Sequence, residues 1–205
     1  MPRPPLLLAL LSLAACARPH YSAPVPASFP PRVAHAGSVA ARPSAVTSIE
    51  AVDYLLVRGL ELPVAGMTRV QLRDTFDEGR DGGRVHRALD ILAPRGTAVL
   101  AADSGRVLRI GANPLGGNII YASDPLGRVV YYYAHLDGYQ PGLTAGATIA
   151  RGDTLGYVGT TGNAPKDTPH LHFQVMRMPA DGRYWDGEPI NPFPLLLLVR
   201  TASQP

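Results

Sequence analysis

Cysteine is almost missing from this chain: its 205 residues contain one, Cys16, so no internal disulfide can form and the fold must be stable through burial alone. Long hydrophobic runs are also missing. The apolar stretch Leu6 to Ala15 offers about ten residues where a membrane span needs roughly twenty. Charge of one sign is missing too, because 19 basic residues meet 16 acidic ones. A net charge of +3 with scattered arginines and no interleaved aromatic stripe gives no basis for nucleic-acid binding. With 46% hydrophobic content, the length suits one sizeable core plus extensions.

The start of the chain carries its own pattern. Arg3 precedes the short apolar run, which ends in Leu13-Ala14-Ala15-Cys16. A charged start, a short apolar segment and small residues before a cleavage point describe a secretory signal. Leu-Ala-Ala-Cys resembles the bacterial lipobox. That resemblance implies a lipoprotein signal peptide over 1–15 and a membrane anchor on acylated Cys16, each buried CH₂ contributing ~0.8 kcal/mol. The alternative is an ordinary signal peptide with an incidental cysteine. Residues 16–45 hold Pro19, Pro24, Pro26, Pro30, Pro31 and Pro43 without helical or alternating periodicity and read as a disordered tether. His20 and His35 lie in it and are taken as bystanders.

A short helix is expected over 46–60. Ser44 or Thr47 would cap it, Val46, Ile49, Val52, Leu55 and Leu56 lie at helical spacing, and Gly59 would stop it. It should pack on the domain that follows over 61–205. From Leu62 the texture becomes short apolar stretches divided by turn signals, such as Asp103-Ser-Gly105 and Asp124-Pro-Leu-Gly127. The fold class is therefore mostly β, an antiparallel sheet domain, with strands expected at 84–91, 97–101, 105–111, 118–123, 128–135, 155–159 and 170–177. Leu195 to Val199 is too short to cross a membrane and is assigned to core packing.

Five side chains of the second half have metal-ligand chemistry at suggestive spacings: His86 and Asp90, then His135, then His170 and His172. Imidazole nitrogen and carboxylate oxygen suit zinc, and a catalytic zinc takes three protein ligands and keeps an open position. Two of the five would then be left to assist chemistry. In a strand, His170 and His172 project to one face. His86 and Asp90 in a straight strand would sit ~13 Å apart at Cα, too far for one metal, so a bend is expected between them near Ala88.

Taken together these stretches resemble the lysostaphin and LytM-type murein zinc metallopeptidases. The resemblance rests on His86 to Asp90 with Ile91 to Val99, on Tyr133-Ala-His135-Leu136, on Arg151 to Gly159, and on Thr161-Gly-Asn163 leading to Pro169-His-Leu-His-Phe173. It covers Leu62 to Leu196, roughly two thirds of the chain. It implies a single antiparallel β-sheet domain with a groove, LytM-like and of the duplicated-hybrid-motif type. It further implies one Zn²⁺ held by His86, Asp90 and His172, with His135 and His170 as the catalytic pair. The activity implied is hydrolysis of peptide cross-bridges in peptidoglycan, at the cell envelope. Two alternatives stand beside it: a non-catalytic regulator or activator of other wall hydrolases, and a zinc peptidase acting on proteins. The chain departs from the family at Ala88, where members usually carry glycine, at Phe76-Asp77 in place of Phe-Gly, and at Gln174 in place of Glu.

Overall fold

The computed structural model of the chain describes residues 47–198. The signal peptide, Cys16, the tether, His20, His35 and Val199 lie outside the described residues. Helix α1 spans Ser48–Arg58 and is capped by Thr47. The Thr47 hydroxyl accepts from the Glu50 N–H at 3.2 Å, and the Glu50 carboxylate accepts from the Thr47 N–H at 2.7 Å. This reciprocal cap satisfies two otherwise orphaned donors and is worth ~1 kcal/mol. Gly59, at φ 61°, ends the helix as its position suggested.

The helix is fixed to the body at four points. Ala51 and Leu55 are fully buried, the leucine alone contributing ~1.5–3 kcal/mol. The Tyr54 hydroxyl donates to Asp124 at 2.6 Å and the Ser48 hydroxyl to Glu188 at 2.7 Å. Arg58 pairs with Asp103, whose side chain is wholly buried and also accepts from Arg151 at 2.6 Å and from the Tyr131 hydroxyl at 3.1 Å.

Eleven strands follow: β1 Gly79–Arg80, β2 Arg84–Val85, β3 Leu89–Leu92, β4 Ala98–Leu100, β5 Gly105–Asn113, β6 Gly117–Ser123, β7 Val129–Tyr139, β8 Thr148–Ile149, β9 Thr154–Val158, β10 His170–Arg177 and β11 Glu188–Ile190. A short helix α2, Pro192–Leu197, closes the described chain. Strands β1 and β2 form a separate hairpin, and the other nine make one antiparallel sheet. Its spine runs β11-β10-β7-β6-β5-β8, with β3 on β10, β9 on β7 and β4 on β9. Mostly β with antiparallel pairing is what the turn spacing indicated. Three short strands, β1, β8 and β11, carry too few residues to show alternation and were not expected.

Period two sorts the sheet into two faces. Along β7, Val129, Tyr131 and Tyr133 enter the main core with Ile120, Leu155, Leu171 and Phe173, while Val130, Tyr132 and Ala134 turn to the opposite face with Ile119 and Met176. That second face carries the candidate site. At the C-terminal end Leu195 and Leu196 are buried as expected, whereas Leu197 and Leu198 are exposed. Among the described residues no helix is long and apolar enough to cross a membrane.

Candidate metal centre

Strand β10 sets the base of the site. In its antiparallel register His172 lies opposite Asp90 of β3 on one side and Ala134 of β7 on the other. Residues directly opposite share a face with close Cβ atoms. Accordingly His172 Nδ1 sits 3.1 Å from Asp90 Oδ1.

His86 reaches them because the expected long strand is broken. The chain leaves β2 at Val85 and resumes as β3 at Leu89. The turning residue is Arg87, at φ 57°; Ala88 has no positive φ and is fully buried. The bend thus falls one residue earlier than inferred. The family's glycine position carries no left-handed backbone here, so alanine is accommodated without strain. Phe76 and Asp77 support the turn: the Arg87 N–H donates to the Phe76 carbonyl at 2.7 Å, and the Arg87 guanidinium covers the Phe76 ring and pairs with Asp77.

The outcome is a triangle of ligand atoms. His86 Nε2 lies 2.9 Å from Asp90 Oδ1 and 3.0 Å from His172 Nδ1. Tetrahedral bonds of ~2.0–2.1 Å place ligand atoms ~3.3 Å apart, so a few tenths of an ångström of expansion would admit zinc. Proton counting points the same way. His86 Nδ1–H donates to the Thr75 carbonyl at 2.9 Å, which leaves Nε2 bare. Three mutually facing acceptor positions then share at most one hydrogen, that of His172 Nδ1. A cation between them removes the conflict, and the donor set fits zinc.

Electrostatics prepare the same state. Burial pushes the Asp90 carboxyl up, but the close imidazoles of His172 and His86 override it and hold the group well below the usual carboxylate range. Burial pushes His172 down despite Asp90. A permanent cation also stands at Asp90: Arg80 Nη2 lies 2.5 Å from Oδ2. An ionised carboxylate beside an imidazole pushed toward its neutral form suits a metal. Thr75 adds a further support, its hydroxyl accepting from the Asp90 N–H at 3.0 Å.

His135 is brought in by a defect in the sheet. By simple alternation it would follow Tyr131 and Tyr133 into the core. A bulge in the β6–β7 pairing, between Asn118 and Ile120, together with φ 62° at His135, turns its ring to the groove and sends Leu136 into the core instead. The His135 ring lies 4.9 Å from that of His170 and 5.6 Å from that of His172. Each of the pair donates Nδ1–H to a backbone carbonyl, His135 to Thr161 at 2.9 Å and His170 to Thr168 at 2.8 Å, which leaves both Nε2 atoms as acceptors. His170 Nε2 is 3.8 Å from Asp90 Oδ1. Burial foremost lowers the His135 pKa to about 4, against the pull of the Thr161 carbonyl, so it is neutral at pH 7.

All five predicted side chains therefore line one cavity of about 560 Å³. Its walls are the β1–β2 hairpin with Arg80, Asp81 and Arg84, the turn at Leu115 and Gly116, and the segment from Asn163 to Thr168, and its floor includes Tyr132 and Gln174. Arg80 and Thr75 escaped sequence reading because an arginine in a two-residue strand and a threonine in a loop carry no periodic signal. Thr161 did lie in a recognised stretch; its backbone oxygen accepts from His135, while its hydroxyl accepts from the Asn118 N–H at 2.9 Å and donates to the Leu136 carbonyl at 2.8 Å.

A mostly antiparallel sheet whose open face carries a His-Asp-His triangle that could hold a metal ion, with two further histidines beside it, is an architecture suited to a metal-dependent hydrolase domain. The chain belongs to peptidase family M23, whose family model matches residues 84–192. It is 33% identical over 122 residues to the L-Ala--D-Glu endopeptidase of Bacillus subtilis, covering 56% of this chain and 37% of that one. With lysostaphin of Staphylococcus simulans it is 35% identical over 99 residues, covering 48% and 19%. The chain thus spans little more than a third, or less, of these relatives. Among solved structures, Helicobacter pylori Csd3 superposes with a TM-score of 0.52 at 28% identity over 68% of this chain and 35% of that one. LytU gives 0.50 at 29% identity over 60% and 82%.

Proposed function

We propose that this chain is an active zinc endopeptidase that hydrolyses peptide bonds in peptidoglycan, exported and held at the cell envelope through acylated Cys16. The domain beginning near residue 61 does the chemistry, and 16–45 is its tether. The observation that carries the reading is the convergence of His86, Asp90 and His172 to within 4.8 Å of one another, with His135 and His170 beside them. A non-catalytic relative has no use for all five.

In this reading His86 Nε2, Asp90 Oδ1 and His172 Nδ1 hold the ion. Bound zinc supplies an acidified water and polarises the scissile carbonyl. The remaining steps belong to the protein. The cavity walls hold an extended peptide across the sheet face. One of His135 and His170 accepts the proton of the attacking water at Nε2 and passes that proton to the departing amine, while the other orients the water through its own Nε2. General acid–base help of this kind is worth 10²–10⁴-fold, and oxyanion stabilisation adds to it.

The test is to measure bound zinc in the purified protein and to incubate it with sacculi, with and without chelator. Soluble peptide fragments should appear and chelator should abolish them. Asp90→Ala and His172→Ala should lose zinc and cleavage together, whereas His135→Ala should retain zinc and lose turnover by about 10²–10⁴-fold. A protein that folds, holds no zinc and releases nothing from sacculi would instead support the regulatory alternative. Comparison of sacculi with casein separates wall from protein substrates.

A further inference from the structure

Beyond the metal centre, the same sheet face carries a continuous run of aromatic rings. Tyr132, on the cavity floor, has its ring 6.0 Å from that of His172. Tyr121 of β6 lies 4.6 Å from Tyr132, Tyr184 lies 5.1 Å from Tyr121, and Trp185 lies 4.9 Å from Tyr184. Tyr132 and Tyr121 are buried or half-buried and serve as packing, while Tyr184 is half-buried and keeps part of its surface open. Trp185 is not packed: it is 57% exposed at the outer end of the run.

The segment bearing it is held in place. The Met178 N–H donates to the Arg128 carbonyl at 2.8 Å, the Gly182 N–H to Pro179 at 3.0 Å and the Asp186 N–H to Arg183 at 2.9 Å. A Cβ on Gly187 would fall 2.6 Å from the Arg177 carbonyl oxygen, so the segment returns tightly against β10. Polar groups flank Trp185 along the chain: Arg183 bonds Asp181 at 2.5 Å and approaches Asp186 at 3.5 Å. A rigid aromatic face edged by planar hydrogen-bonding groups loses little entropy on binding and suits a flat ligand with apolar C–H faces and hydroxyl edges.

We propose that Tyr184 and Trp185 form a sugar-stacking subsite that binds the glycan of the substrate while its peptide lies in the metal groove. This rests on the peptidoglycan reading above. The spacing supports it. The ring-to-ring steps of 6.0, 4.6, 5.1 and 4.9 Å from His172 to Trp185 set an upper limit of about 21 Å on their separation, a distance that an extended stem of about four residues, at most ~14 Å, spans together with the sugar rings it carries.

Trp185 is the single tryptophan of the chain, so its fluorescence reports this site alone. Titrating the full-length protein with chitotetraose, a β-1,4-linked N-acetylhexosamine probe, should change the emission saturably. On sacculi, Trp185→Ala should raise KM about tenfold with kcat unchanged, since truncating a stacked aromatic anchor costs more than ~1 kcal/mol. On a glycan-free cross-linked peptide its KM should stay at the wild-type value, and Trp185→Phe should recover most of the loss on sacculi. Emission unmoved by the sugar, a wild-type KM on sacculi for Trp185→Ala, or an equal rise on the free peptide overturns the subsite. If the wild-type protein cuts neither substrate, the endopeptidase reading fails, and the titration still decides the sugar site without turnover.

Discussion

Gly162→Ala tests how the groove wall holds His135. Gly162 has φ 70°, and a Cβ there would lie 2.3 Å from both the Gly117 nitrogen and the Leu115 carbonyl oxygen. Those atoms are backbone and cannot rotate away. The left-handed conformation costs an L-residue ~1–2 kcal/mol, and forced expansion of a packed contact adds ~1–3 kcal/mol. The domain should therefore lose about 2–5 kcal/mol, or roughly 4–20 °C in Tm at 2–4 °C per kcal/mol. Activity should fall further than stability explains. The neighbouring Thr161 carbonyl accepts from His135 Nδ1, and the His135 N–H donates to the Gly116 carbonyl at 2.7 Å, so the two strained segments together position the ring. A displacement of ~1 Å at a catalytic group costs ~10²-fold. Gly142→Ala is the control: its φ is 82°, but the added Cβ meets nothing within 4 Å, so it carries the conformational cost alone. Thermal melts and sacculus release at a temperature where both variants are folded separate the two effects. Gly162→Ala behaving like Gly142→Ala in both measurements would refute the close-approach argument.

Asp103→Ala leaves Arg58 and Arg151, whose side chains are 23% and 19% exposed, without their buried counter-charge, which should cost ~3–5 kcal/mol and lower Tm by roughly 6–20 °C in a calorimetric scan. Burial raises the Asp103 pKa, but the two arginines override it and hold it below the ordinary 3.8. A depressed folded-state pKa stabilises above the unfolded value, so the Tm gap between wild type and variant should be full at pH 6 and shrink as pH falls below about 4. Thr75→Val removes the acceptor of the Asp90 N–H while keeping shape. Zinc affinity measured by chelator competition should drop about 10–100-fold, with the backbone bond to His86 intact.

The fold class and the five reactive side chains could be read without coordinates because both are carried by local patterns. Turn signals at short intervals dictate hairpins, and residues two apart in a strand share a face, so His170 and His172 had to point together. Helix α1 was equally legible, since its cap Thr47, its apolar spacing and its stop Gly59 lie within a dozen residues. A bend between His86 and Asp90 was legible from their spacing, but its place at Arg87 and the His135 bulge were not, because neither breaks the alternation of apolar residues in the chain. Only pairing decided them. The opposition of Ile120 to Tyr133 and Asn118 to Leu136 forces one extra residue into β7, and that residue is His135. Likewise Arg80 meets Asp90 only because a two-residue hairpin folds back over β3. Periodicity along the chain determines which face a side chain seeks, but the register of strands distant in sequence determines which groups meet there, and a metal centre depends on the second.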